Sequence, residues 1–262
     1  MWKISGGNGT DKDINLVVND YLDNDNKYSS GDVEKGLLEE IMNDARTKFY
    51  DNEFANAKNK VFVYLATIAD VEEFELINNP NNKQNINTEN KVIKQSVAGY
   101  NLLKHAVKDV WGIDEDLSNI KLSPNGKPYT DKYKFSISHC NGLVCVAISD
   151  KEVGVDLECE TTQRKWDRLS RRVLTKEEKE NINTDNKTMT INWTKKEAIF
   201  KLLGDRVFSP SLIDISKYYT DTVQDIFYLD NFYTLSIASY EETANYLTIK
   251  RMDLLQDGWC FI

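Results

Sequence analysis

A short run of strand-forming sequence around a tight turn is the strongest constraint on the fold. Two segments rich in β-branched and aromatic residues, 134–138 (KFSIS) and 143–149 (LVCVAIS), flank Asn141-Gly142. This dipeptide strongly favours a two-residue β-hairpin. A third segment of the same kind, 153–158 (VGVDLE), follows shortly after. The sequence therefore predicts antiparallel strands in the middle of the chain.

Helical and extended patterns surround this hairpin in an order that occurs twice. Before it, an apolar strand at 61–69 precedes a helix at 92–111, whose apolar residues keep the 3.6-residue period and which Gly112 ends. After it, helices are predicted at 164–172, from a cap at Thr175 onward, and at 190–203, where Gly204 ends the helix. Further strands are predicted at 225–229, 232–239 and 246–252.

This repetition predicts an α+β fold of two similar halves, 61–150 and 151–262, with mainly antiparallel sheets. Residues 1–60 are more polar, with 8 Lys and Arg against 12 Asp and Glu. We therefore treat residues 1–60 as an acidic N-terminal extension, to which the sequence assigns no role.

Composition excludes several classes of function. The net charge of −9 argues against a broad basic face for nucleic acid. No apolar run approaches the ~20 residues of a membrane span, and the N-terminus lacks the apolar core of a signal peptide. The 4 cysteines form no CxxC pair, and 2 histidines are too few for a typical zinc site. We expect a soluble cytoplasmic protein that binds neither nucleic acid nor membranes.

Two carboxylates in the third strand are candidate metal ligands. Asp156 and Glu158 are two residues apart, so in a strand they point to the same face. Burying two like charges together is costly unless a cation joins them, and hard oxygen ligands suit magnesium. The same two-residue spacing is equally consistent with a strand in which Val155 and Leu157 face the core and both acids face water.

A helix further along the chain offers a third carboxylate. Glu197 and Lys201 are four residues apart and share one helical face, which Trp193 extends. They could supply a metal ligand and a phosphate-binding lysine, or form an ordinary exposed ion pair. Glu178 is likewise either a functional acid or the partner of Thr175 in a capping box.

The end of the hairpin's first strand carries Ser138 and His139. A histidine beside a loop could donate a hydrogen bond to a phosphate, although a structural role is equally open. Adjacent strand residues point to opposite faces, which argues against a hydrolytic Ser-His pair. Lys127 lies in the turn Asn125-Gly126-Lys127-Pro128 and could meet an anion or only solvent.

Taken together, these segments resemble one enzyme family. Four motifs, 125–129 (NGKPY), 134–139 (KFSISH), 153–158 (VGVDLE) and 193–201 (WTKKEAIFK), occur in the order and at the spacing of 4′-phosphopantetheinyl transferases of the surfactin-synthetase-activating (Sfp) type. The segment 171–178 (RRVLTKEE) resembles a further block of that family. The resemblance implies a pseudo-dimer of two α+β halves with the active site in the cleft between them.

The resemblance also implies a reaction and its residues. Such enzymes move the phosphopantetheine arm of coenzyme A to a serine of an acyl or peptidyl carrier protein and release 3′,5′-ADP. By this resemblance, magnesium would be held by Asp156, Glu158 and Glu197. Coenzyme A would be bound by Lys127, Pro128, Ser138, His139 and Lys201. Lys201 would also protonate the leaving group, and either Glu178 or Glu197 would be the base.

A basic segment between the motifs is a candidate surface for the carrier. We hypothesise that an acidic carrier helix docks on Arg164, Arg168, Arg171 and Arg172, with Lys165 and Lys176 nearby. A solvated helix face is the alternative.

The prediction for the whole protein is a magnesium-dependent monomeric transferase. A non-catalytic protein that binds coenzyme A or carriers, and a magnesium-dependent phosphohydrolase, are the rivals.

Overall fold

The computed structural model describes residues 57–68, 91–114, 117–160, 164–228 and 230–249. Most of the acidic extension (1–60), the end of the strand predicted at 61–69 and the last residues of the strand predicted at 246–252 lie outside these ranges. The strands are β1 (Lys60–Thr67), β2 (Lys121–Leu122), β3 (Pro128–Tyr129), β4 (Lys134–Cys140), β5 (Leu143–Ser149), β6 (Val153–Cys159), β7 (Tyr219–Tyr228), β8 (Asn231–Ser239) and β9 (Ala244–Ile249). The α-helices are α1 (Lys91–Trp111), α2 (Trp166–Val173), α3 (Glu178–Asn181) and α4 (Asn186–Leu203).

The first sheet has the strand order β4-β5-β1-β9. The predicted hairpin is confirmed: β4 and β5 pair antiparallel, and Asn141 and Gly142 both have positive φ (44° and 86°), as the favoured two-residue turn requires. β1 pairs antiparallel with β5 and parallel with β9. The sheet therefore takes a strand from the C-terminal part of the chain, and the division into 61–150 and 151–262 stays a prediction.

The second sheet has the order β6-β8-β7, and both pairings are antiparallel. Strand β7 begins at Tyr219, six residues before the predicted start at 225, and a bulge lies between Val223 and Ile226. Asp225 at this bulge has a φ of 56°. The irregular backbone breaks the alternation of polar and apolar residues by which a strand is recognised, and so the sequence predicted only the last part of β7.

Both sheets are covered on two faces. Between the sheets lies a core of β1 and β5 residues packed against β6 and β8 residues, including Val63, Cys145, Val155 and Leu157. On the other side of the first sheet, α1 buries Leu102, Leu103 and Trp111. On the other side of the second sheet, α4 buries Ala198 and Ile199. The prediction of a mixed α and β protein with mainly antiparallel sheets is confirmed.

Side chains of β4 join the two sheets along one edge of β6. The backbone N–H groups of Val155, Leu157 and Cys159 point away from β8 and donate to Ser136 Oγ (3.1 Å), Ser138 Oγ (3.3 Å) and Cys140 Sγ (3.2 Å). We call these three contacts the β4–β6 seam. Buried N–H groups need partners, and here hydroxyl and thiol groups take the place of a neighbouring strand. The seam holds β4 beside the carboxylates of β6.

A glycine allows α4 to lie close against β6. A Cβ atom at Gly154 would lie 2.0 Å from the carbonyl oxygen of Ala198. The helix begins at Asn186, earlier than the predicted 190, because Asp185 caps it by accepting a hydrogen bond from Thr188 N. Its predicted end is confirmed, since Gly204 has a left-handed φ of 67°. None of the helices in the described ranges could cross a membrane.

Candidate active site

The two acids of β6 face α4 and not the solvent. Val155 and Leu157 point into the core between the sheets, so Asp156 and Glu158 point to the opposite face, which α4 covers. Asp156 is 2% exposed and Glu158 is 8% exposed. The alternative that both acids face water is therefore wrong.

Helix α4 brings a third carboxylate and a lysine to the same place. One carboxylate oxygen each of Asp156, Glu158 and Glu197 lies within 4.8 Å of the others. We call these residues the carboxylate cluster. One helical turn beyond Glu197, Lys201 Nζ lies 2.7 Å from Asp156 Oδ1 and 4.0 Å from the nearer Glu197 oxygen. Glu197 and Lys201 therefore both face the carboxylates of β6 and do not form an ordinary exposed ion pair.

Ser138 connects the seam to the carboxylate cluster. Its hydroxyl donates to Asp156 Oδ1 (2.8 Å) and accepts from Lys201 Nζ (2.7 Å) and from Leu157 N (3.3 Å). These three contacts fix the positions of both charged groups. His139 follows on the opposite face of β4 and is exposed.

Glu158 is held by two donors, one from α4 and one from the segment that precedes α2. Its Oε1 atom accepts hydrogen bonds from Trp193 Nε1 (2.8 Å) and from Arg164 Nη2. The Arg164 guanidinium lies over the rings of Trp193 (4.7 Å) and Trp166 (5.5 Å). The sequence alone indicates no role at the site for these tryptophans, and its basic run predicts a docking surface that includes Arg164. The only sequence signal was the position of Trp193, one turn before Glu197.

Burial, together with crowding of charge, shifts the pKa values of the cluster. Burial raises the pKa of Glu197 to about 7, with a further contribution from Asp156 that Lys201 opposes. Burial and the Asp156 charge also raise the pKa of Glu158, although Arg164 acts in the other direction. Burial by itself would lower the pKa of Lys201, but the charges of Asp156 and Glu197 outweigh burial and raise it.

The carboxylate cluster fits a divalent cation. Asp156 Oδ2 is buried and has no hydrogen-bond partner among the described residues, which is costly for a carboxylate oxygen. Among the residues that the structure describes, the Cys140 thiol is the only hydrogen-bond partner of Glu158 Oε2, at 3.7 Å. Several carboxylate oxygens around one point suit a hard cation such as magnesium. The ligands would be Asp156, Glu158 and Glu197.

Glu178 occupies a different position. It forms the predicted capping box with Thr175: Glu178 Oε2 accepts from Thr175 N (2.7 Å), and Glu178 N donates to Thr175 Oγ1 (3.2 Å). The same Oε2 atom also accepts from Lys196 Nζ at 2.6 Å. Lys196 is fully buried and also donates to the carbonyl oxygens of Pro210 and Ile213. Its pKa is lowered because burial outweighs the attraction of Glu178.

A pocket of about 270 Å³ lies between the turn at 125–128 and the end of α4. Its lining consists of Asn125, Gly126, Lys127, Pro128, Phe135, Ser136, Ile137, Phe200, Lys201, Gly204, Asp205 and Arg206. Lys127 Nζ donates to the carbonyl oxygen of Leu202 (2.9 Å) and pairs with Glu152 (3.3 Å). The pocket brings Lys127 and Pro128 to the same cavity as Lys201, whereas Ser138 reaches it only through Lys201.

The rest of the basic segment faces solvent. Its exposed members are Lys165, Arg168, Arg171, Arg172 and Lys176. The side chain of Arg164 is 25% exposed and turns towards Glu158.

The comparison with known families agrees with this geometry. Residues 152–246 match the family model of the 4′-phosphopantetheinyl transferase superfamily. The matched stretch contains the whole carboxylate cluster, Lys201 and Arg164. It begins after Lys127, Ser138 and His139 and so does not include them. No curated protein matches the chain. This stretch of the chain is therefore similar to that superfamily.

Proposed function

We propose that this protein transfers the 4′-phosphopantetheine arm of coenzyme A to a serine of an acyl or peptidyl carrier protein, as enzymes of the Sfp type do. The observation that carries the proposal is the carboxylate cluster with Lys201 beside it, within the stretch that matches the superfamily. The proposal includes two similar halves, with the active site in the cleft between them, in a cytoplasmic monomer.

The proposed binding roles follow from charge and position. Asp156, Glu158 and Glu197 would hold a magnesium ion, which would offset the negative charge of the coenzyme A diphosphate. Lys127 and Pro128 line the pocket next to Lys201, and we assign this pocket to coenzyme A. Ser138 would orient Lys201 through their 2.7 Å hydrogen bond. We assign the exposed His139 to a coenzyme A phosphate.

The proposed reaction exchanges one phosphorus–oxygen bond for another. The hydroxyl oxygen of the carrier serine attacks the phosphorus that bears the pantetheine arm. The bond from this phosphorus to the bridging oxygen breaks, and that oxygen leaves with 3′,5′-ADP. The serine proton passes to a carboxylate base, and Lys201 donates a proton or a hydrogen bond to the leaving oxygen. In such a reaction the protein contributes mainly by positioning the reactants and by stabilising charge.

Contacts favour Glu197 over Glu178 as the base. Glu178 Oε2 already accepts from Lys196 Nζ and from Thr175 N, so taking up a proton there would disrupt its ion pair with the buried Lys196. Glu197 belongs to the carboxylate cluster, and its nearest described cation, Lys201, is 4.0 Å away. A carboxylate has two oxygens, so Glu197 can ligate a cation through one oxygen and accept a proton on the other.

For the carrier we propose docking on the exposed side of α2. Arg168, Arg171 and Arg172 are exposed and spaced by three and four residues, which puts them on one side of the helix. A basic side would attract an acidic carrier helix despite the net negative charge of this protein. Arg164 is left out of this surface because it pairs with Glu158.

A transfer assay tests the function directly. The protein is mixed with coenzyme A, magnesium and a panel of apo-carrier proteins, and mass spectrometry records which carrier gains the arm. We expect transfer by the wild type and by Asp131→Ala, which removes an exposed acid, and none by Asp156→Ala.

Two results would contradict the proposal. Consumption of coenzyme A without any carrier would favour the phosphohydrolase. Binding of coenzyme A or carriers without turnover would favour the non-catalytic protein.

A further inference from the structure

We propose that Arg164 is a positioning residue, which fixes Glu158 so that its second oxygen faces the cation of the carboxylate cluster. The inference rests on the proposed function, because it assumes that this cluster holds a divalent cation. It assigns to Arg164 a task inside the site and not on the carrier-docking surface.

The two oxygens of Glu158 differ in their surroundings. Oε1 accepts from Arg164 Nη2 and from Trp193 Nε1, so both of its hydrogen bonds come from nitrogen donors outside β6. In the described part of the chain, Oε2 has the Cys140 thiol as its only hydrogen-bond partner, at 3.7 Å. Two donors on one oxygen set the rotation of the carboxylate and leave the other oxygen for a ligand. Carboxylates that bind metals are commonly held by such outer hydrogen bonds.

The guanidinium is itself held by an anchored pair of aromatic rings. It lies 4.7 Å from the centre of the Trp193 ring and 5.5 Å from that of Trp166. Trp166 Nε1 donates to Asn186 Oδ1 (2.8 Å), and Trp193 packs edge-on against Phe208 (5.2 Å). A planar guanidinium can stack on both rings and still donate in its own plane, which a lysine ammonium cannot do.

The charge of Arg164 also offsets part of the crowding. Asp156 has Lys201 at 2.7 Å as its counter-ion, and Glu158 has Arg164. Each strand carboxylate thus has its own fixed cation. With the two pairs formed, the acids can stay close together before any metal binds.

The test measures binding of Mn²⁺ to the complete protein by calorimetry, without carrier or coenzyme A. Arg164→Lys keeps the positive charge, so repulsion of the metal is unchanged, but loses the planar stacked donor. We expect about 10- to 100-fold weaker Mn²⁺ binding, the usual cost of losing an outer partner of a ligand. The matched control, Arg168→Lys on the exposed side of α2, should bind Mn²⁺ as the wild type does.

A second variant and a stability measurement distinguish a local effect on the metal site from misfolding. Trp193→Phe keeps a ring beside Phe208 and Trp166 but removes the N–H donor to Glu158, and it should also weaken Mn²⁺ binding. Thermal unfolding in EDTA identifies any variant that has lost its fold. A residue with only a structural role would change the unfolding temperature and leave the affinity of the folded protein intact.

The outcomes separate the two claims. If Asp156→Ala abolishes Mn²⁺ binding but Arg164→Lys and Trp193→Phe bind within about twofold of the wild type, the inference is wrong and the proposed function stands. If Asp156→Ala binds Mn²⁺ as tightly as the wild type, the carboxylate cluster is not the metal site, and both claims fail.

Discussion

Replacing Glu197 by glutamine should stabilise the metal-free protein, and more so at higher pH. Burial and the neighbouring acids raise the pKa of Glu197 from its ordinary value of 4.5 to about 7 in the folded state. Between these two pH values the unfolded chain has lost a proton that the folded protein keeps. The free energy of unfolding of the wild type therefore falls as the pH rises through this window.

The shift sets the size of the effect. A difference of one pKa unit corresponds to about 1.4 kcal/mol, so the change from 4.5 to about 7 destabilises the ionised protein by about 3–4 kcal/mol. Glutamine has a similar shape and no charge. We expect Glu197→Gln to raise the free energy of unfolding by about 3–4 kcal/mol at pH 8 and by less than about 1 kcal/mol at pH 5.

Urea unfolding in EDTA at the two pH values measures this difference, with EDTA removing divalent ions. A stabilisation of equal size at pH 5 and pH 8 would show that the charge of Glu197 is not the cause. Destabilisation at pH 8 would mean that the carboxylate makes favourable contacts in the ionised state, and the argument from burial would then be refuted.

Three further variants, the last a double substitution, test other parts of the molecule. Gly154→Ala puts a methyl group 2.0 Å from a backbone oxygen of α4 and should lower the free energy of unfolding by about 3 kcal/mol or more in urea titrations; a wild-type midpoint would contradict the close packing. Lys196→Met leaves the partly buried carboxylate of Glu178 without its counter-ion and should lower the free energy of unfolding by about 3–5 kcal/mol in the same titrations. A neutral result would show that the ion pair does not contribute to stability. Reversing the charge of the docking surface with Arg168→Glu and Arg172→Glu should raise the KM for the carrier and leave coenzyme A binding intact. The control Lys132→Glu should leave the carrier kinetics unchanged. Unchanged carrier kinetics in the Arg168→Glu, Arg172→Glu variant would refute the docking surface.

Local signals in the sequence predicted the elements that local forces determine. The hairpin follows from Asn141-Gly142, whose positive φ values few other residue pairs tolerate. The end of α4 follows from Gly204, and the capping box at Thr175 follows from the residue spacing. In each case the residues that fix the backbone are neighbours in the chain.

These local patterns do not predict contacts between residues that are far apart in the sequence. Period-2 alternation showed that Asp156 and Glu158 share a face, but not that α4 covers that face. The parallel pairing of β9 with β1 joins segments far apart in sequence, and no local pattern specifies it. The basic run around Arg164 gave no sign that one of its members turns inward, because that depends on the rings of Trp166 and Trp193.

The match to the superfamily and the β4–β6 seam support different parts of the site. The match begins at residue 152 and so includes the carboxylate cluster but not β4. Ser138 of β4 nevertheless contacts both Asp156 and Lys201, and the seam holds it there by the hydrogen bond from Leu157 N. The matched residues alone would lack the hydroxyl that sets the distance between these two charges. The arrangement of the site therefore depends on both sheets, and a change in the seam should alter the site without removing any charged group.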